Sequence, residues 1–149
     1  MALNVPQSLQ GGHASLRAVL KQAMREEGPL GDVARRLGEV IDGHMLREEM
    51  YALRPLGILQ LLARGETPSE LAEAQHLSED LRRALPQMLD EHRQVAELVP
   101  LLARAAEAAG KPQFVAFAED LLLHARLEED VLYPAALLVG RYATLVRGG

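Results

Sequence analysis

The chain has 149 residues, 48% of them hydrophobic and 3% aromatic, and a formal net charge of -5. It holds no cysteine, which excludes disulfides, iron–sulfur clusters, thiolate zinc sites and cysteine catalysis. The acidic balance argues against a nucleic-acid partner, and neither a basic leader nor a run of about 18 apolar residues marks an export signal or a membrane span, so the sequence reads as one soluble, cytoplasmic domain over residues 1–149.

A core almost free of aromatics has to be filled by Leu, Ala, Val and Met, which suits helix-on-helix packing. Residues 1–8 read as an extended lead-in, with Ser8 as a cap. The first predicted helix spans about 9–27 and turns Leu9, His13, Leu16, Leu20 and Met24 inward; Gly28-Pro29 ends it. The second begins near Leu30 and carries the stripe Val33, Leu37, Val40/Ile41, His44, Glu48, Tyr51. Pro55 interrupts it, and residues 56–63 form a last helical piece. Thr67-Pro68-Ser69-Glu70 is a helix-start signature, and the polar pattern after it predicts a short connecting helix on the surface. The third core helix is predicted over about 85–109, with Pro86 in its first turn, Pro100 bending it, and Met88/Leu89, His92, Val95, Val99 and Leu102 inward. The fourth, about 113–132, turns Phe114, Phe117, Leu121, His124, Glu128 and Val131/Leu132 inward; Tyr133-Pro134 interrupts it before a tail helix over 135–146.

The two halves repeat. His13 to His44 is 44 − 13 = 31 residues and His92 to His124 is 124 − 92 = 32; the offsets between halves are 92 − 13 = 79 and 124 − 44 = 80. Each half reads His on one helix, a glycine–proline turn, then His-x-x-x-Glu-Glu on the next. Two repeated helical hairpins make an all-α, up-down-up-down four-helix bundle, with a short connecting helix and a C-terminal tail helix added. All four stripes then share one interior.

That interior receives His13, His44, His92, His124, Glu48 and Glu128. On a helix, i and i+4 lie about 40° apart, so His44 and Glu48, and likewise His124 and Glu128, aim at one point; Glu49 and Glu129 fall about 140° away, as surface charges or supporting partners of the inner groups. One histidine on an apolar stripe is more often a hydrogen-bonded core residue than a ligand, and one His-x-x-x-Glu is more often a local polar pair. Two glutamates and four histidines in one apolar interior are different, because each buried ion carries several kcal/mol of desolvation cost. A metal pair removes that cost, and His with carboxylate accepts iron, zinc or manganese. His76 and Asp130 read as solvated surface groups. Tyr51 and Tyr133 read as core tyrosines, with a further oxygen ligand as the alternative.

With His13, His44-x-x-x-Glu48, His92, His124-x-x-x-Glu128-Glu129 and the following Leu-Tyr-Pro, the chain resembles the haemerythrin-like, or HHE cation-binding, domains from His13 to Pro134. The resemblance implies a four-helix bundle around two iron ions, oxo- or hydroxo-bridged, with the four histidines as terminal ligands and Glu48 and Glu128 as bridges. The oxygen-carrying haemerythrins have a fifth histidine, four residues from another on the third helix; here Met88 and Ala96 flank His92 at that spacing. Each metal would then have about five ligands and an open or water-filled position, which weighs against simple reversible oxygen carriage. Ferritin-like bundles use Glu-x-x-His and more carboxylates, and no His-Glu-x-x-His of a zincin is present. The leading reading is a protein, monomer or homodimer, that binds or senses O2, NO, peroxide or iron. The alternatives are an enzyme decomposing peroxide or catalysing another oxidation at the same centre, with no catalytic residue assigned, and a metal-free helical interaction module.

Overall fold

In the computed structural model, which describes residues 3–148, helix α1 (Gln7–Met24) meets α2 (Gly28–Arg47) at Gly28, whose φ of 72° is a conformation that glycine adopts without strain. Residues 1–2 of the predicted lead-in and residue 149 of the predicted domain lie outside the described residues. Beyond α2 come a π turn (Glu48–Ala52), a 3-10 turn (Arg54–Ile58) and the short α3 (Leu59–Ala63). Helix α4 (Leu71–Ala108) then runs into α5 (Pro112–Leu127) through Gly110, at φ 69°, so the second hairpin turns as the first does. A second π turn (Glu128–Leu132) leads into α6 (Tyr133–Val146).

Helix α2 packs on α1 and α4, and α5 packs on α4 and α1, which closes the four-helix bundle. The interior has apolar clusters on either side of a polar layer. Leu20, Leu37, Ile41, Val95, Leu102 and Phe117 belong to the cluster toward the hairpin turns. Ala52, Leu53, Leu56, Leu81, Met88 and Tyr133 belong to the one beyond the layer, and Leu3, Ile58, Leu71, Leu77 and Val139 continue it. The layer between is where His13, His44, Glu48, His92, His124 and Glu128 lie.

Two expectations are corrected. The residues after Thr67 do not form a separate surface helix. They are the first half of the 38-residue α4, which continues through Pro86 and Pro100. Their apolar positions, Leu71, Ala74, Leu77 and Leu81, are buried because α6 packs along them, a partner invisible to a local pattern. The last helical piece expected over 56–63 is α3. Thr67 does not cap α4, whose start has no side-chain cap at all, and α1 ends at Met24 rather than near Glu27 because Gly28-Pro29 opens α2, proline being tolerated in a first turn.

The second correction concerns register. Each π turn inserts one residue where a proline follows, Pro55 or Pro134, and the wider turn accommodates a ring that lacks an N–H and crowds the carbonyl four residues back. Leu53 N–H bonds the Glu48 carbonyl at 2.9 Å, a five-residue step. The inward stripe therefore advances by five at these points. Val131, expected inside, is 51% exposed, while Tyr133 is buried; Tyr51 is half-buried, while Ala52 and Leu53 take the interior.

Where α6 crosses α4, a Cβ built on Gly140 would come within 2.1 Å of Ser78 Oγ and 2.4 Å of Ser78 Cβ. Gly140→Ala should therefore cost about 1–3 kcal/mol, read as a lower denaturation midpoint, despite the better helix propensity of alanine. Pairing it with Ser78→Gly should restore most of the loss.

Candidate metal centre

The side chains of the polar layer converge. His13, Glu48, His124 and Glu128 each bring one nitrogen or oxygen into a group whose atoms all lie within 4.8 Å of one another, and His44, Glu48, His92 and Glu128 do the same. Both carboxylates belong to both groups, while each histidine belongs to one. His13 Nε2 stands 3.5 Å from Glu48 Oε1 and 3.4 Å from Glu128 Oε2; His44 Nε2 is 3.4 Å from Glu48 Oε1, and His92 Nε2 is 3.0 Å from Glu128 Oε1. His124 Nε2 lies 3.0 Å from Glu128 Oε2. All six positions named from the sequence thus come together, and Glu48, Glu128 and His13 are at most 1% exposed. A small cavity of about 20 Å³ remains among His44, Glu48, His92, His124 and Glu128, enough for one water-sized group.

Outer carboxylates orient the rings. His13 Nδ1–H donates to Glu49 Oε2 at 2.7 Å, and Arg17 donates to the same oxygen at 2.8 Å. His44 Nδ1–H donates to Glu91 Oε1 at 2.8 Å, and Arg47 bonds the other oxygen of Glu91. A proton held on Nδ1 leaves Nε2 with its lone pair directed inward, the tautomer that a metal requires. Glu129 stands 3.6 Å from His92 Nδ1, beyond hydrogen-bond range, with its side chain 41% exposed. Glu49 and Glu129 thus take the lateral places expected of them. Glu91 and Arg47 were not anticipated. The available signal was spacing: Glu91 lies three residues after Met88 and four before Val95, on the buried stripe of α4.

Tyr133, brought inside by the second π turn, donates its O–H to Glu48 Oε2 at 2.5 Å and stands 3.4 Å from both His44 Nε2 and His92 Nε2. It is a core tyrosine with a satisfied hydroxyl, at the edge of the layer. Tyr51 packs among the apolar residues beyond the layer. His76 is exposed, 3.8 Å from Asp80.

Burial and mutual contact shift the proton affinities of this layer. Burial and the neighbouring Glu128 carboxylate push the Glu48 carboxyl up to about 7. Burial opposes charge on Glu128 too, but the Glu48, His124, His13 and His44 side chains gathered around it outweigh burial and hold that carboxyl far below its usual range. Burial likewise opposes an imidazolium at His44, yet Glu128, Glu48 and Glu91 outweigh it and raise its pKa to about 10. His13 is raised in the same way. Protons shared among these groups stand in for positive charge. Even so, Glu48 Oε1, His92 Nδ1 and His124 Nε2 are buried with no hydrogen-bond partner. Such orphaned donors and acceptors are costly in a closed interior. Those of Glu48 and His124 belong to the converging groups, and their nitrogen and carboxylate oxygen chemistry fits a first-row transition metal.

Among the described residues no helix is long and apolar enough to cross a membrane. Among curated proteins and among solved structures, nothing matches the chain. The family model of the Hemerythrin HHE cation binding domain does match, over residues 7–136, a span that runs from the first residue of α1 past Tyr133 and takes in the whole polar layer. The chain belongs to the haemerythrin HHE cation-binding domain family.

Proposed function

We propose that the protein is a non-haem di-iron protein that binds or senses a small ligand, O2, NO or peroxide, with His13, His44, His92 and His124 as terminal ligands and Glu48 and Glu128 shared by both metals. One observation carries this reading: the two groups of converging ligand atoms share both carboxylates, the arrangement a bridged metal pair needs. When bound, such a pair supplies Lewis acidity and a redox couple to a ligand of a few atoms.

The chain's own residues do the rest. Glu49 and Glu91, each braced by an arginine, fix the rings of His13 and His44 and hold the proton on Nδ1. The Tyr133 hydroxyl fixes one oxygen of Glu48, leaving Oε1 for the centre. The apolar clusters on both sides exclude water, which strengthens every interaction of the layer. The cavity of about 20 Å³ favours a ligand of two or three heavy atoms over an organic substrate.

Metal analysis of the protein as purified, with its ultraviolet–visible spectrum, tests the proposal. Close to two iron atoms per chain are expected, with near-ultraviolet charge-transfer bands that shift when the reduced protein meets O2 or NO. A chain that holds less than about one metal and keeps its spectrum on adding iron would be the metal-free interaction module instead.

A further inference from the structure

The six inner groups are not equally enclosed. The His124 side chain is 18% exposed, against 6% for His44 and His92 and 1% for His13, Glu48 and Glu128. On the outside, His124 lines a groove of about 660 Å³ between α1 and α5, together with Gly12, Leu16, Leu123, Leu127 and Val131. On the inside, it lines the 20 Å³ cavity of the polar layer. Among the described residues no other lines both. On the opposite side the Tyr133 hydroxyl lies against His44, His92 and Glu48, its ring stacks on His92 with centroids 5.7 Å apart, and the Arg47–Glu91 pair covers the outer nitrogen of His44, so that the outer groove of about 430 Å³ beside this pair is lined by none of the six inner groups.

We propose that the centre has a single access route, the α1–α5 groove, and that small ligands of two or three heavy atoms reach it past the His124 ring. This rests on the metal reading above and adds the side from which the centre is reached. The small inner cavity, with room for about one water-sized group, favours ligands of a few atoms over organic molecules. The groove carries Asp120, Arg126 and Asp130 beside its apolar walls, and Leu123, Leu127 and Val131 are 67%, 44% and 51% exposed, so the mouth of the groove is open to solvent.

Adjacent glycines on α1 supply a matched test. A Cβ on either Gly11 or Gly12 meets nothing within 4 Å, so a side chain can leave the backbone at both positions, and of the two only Gly12 lines the groove. Azide is the probe, mixed with the iron-loaded protein in a stopped-flow spectrometer. Gly12→Phe should slow azide association at least ten-fold while leaving the final spectrum and the iron content unchanged. Gly11→Phe should bind at the rate of the unsubstituted chain. Equal rates in all three, at full iron content, would overturn the single route and leave the metal reading intact. An unsubstituted chain without iron would overturn both.

Discussion

Stripping the metal from the purified protein should lower its melting temperature by roughly 8–16 °C, with the transition still cooperative. A ligand that binds only the native state adds RT ln(1 + [L]/Kd), about 4 kcal/mol at a thousand-fold excess over Kd, and in a chain of this size each kcal/mol moves Tm by about 2–4 °C. The unloaded chain should still fold, because protons partly replace the cation: Glu48 and His44 both have raised proton affinity, to about 7 and about 10, and apolar clusters flank the layer. Calorimetry before and after chelation, with iron back-titration, checks it. Melting that chelation leaves unmoved would mean that the layer does not hold metal in the folded state.

Glu128→Gln should empty both metal positions, whereas His124→Ala should leave about one metal per chain. The difference follows from membership: Glu128 belongs to both groups of ligand atoms and His124 to one. Glutamine keeps the shape of the side chain but loses the charge that holds His13, His44 and His124 in their places. Breaking a buried ion pair on one side costs about 3–5 kcal/mol, so the metal-free Glu128→Gln protein should also unfold at distinctly lower denaturant. Glu49→Gln is the graded comparison. Of the six inner groups it touches only His13, at the outer nitrogen, and loss of such a support costs about 10–100-fold in metal affinity without changing the stoichiometry. Dialysis followed by metal analysis separates the three outcomes. Equal stoichiometry for Glu128→Gln and His124→Ala would count against a shared carboxylate.

The repeat of histidines and glutamates was legible in the sequence because a buried polar group at helical spacing stands out against Leu and Ala. The hairpin turns were legible because Gly28 is followed by Pro29 and Gly110 by Lys111-Pro112. Three features were not. The continuity of α4 depends on burial of Leu71, Ala74, Leu77 and Leu81 under α6, a tertiary partner that a local window does not contain. Glu91 looks like an ordinary surface acid until Arg47 and His44, more than forty residues away, are placed beside it. The π turns escape a 3.6-residue period by construction, since one extra residue shifts everything after it by about 100°. That shift is why Val131 was expected inside and Tyr133 was not placed against Glu48.

The repeat also has a break that bears on the two halves of the centre. Counting five from each shared glutamate, 48 + 5 = 53 and 128 + 5 = 133, the positions that re-enter the interior after the π turns are Leu53 and Tyr133. One is aliphatic and one carries a hydroxyl. Through the Tyr133 N–H bond to the Glu128 carbonyl and its O–H bond to the Glu48 carboxylate, the second hairpin is tied to the first, and no bond from Leu53 returns the favour. The repeat therefore relates the inner groups but not their surroundings. Two ions held there would be chemically distinct neighbours, one beside a phenol and one without it, in a site whose ligand count alone makes them look alike.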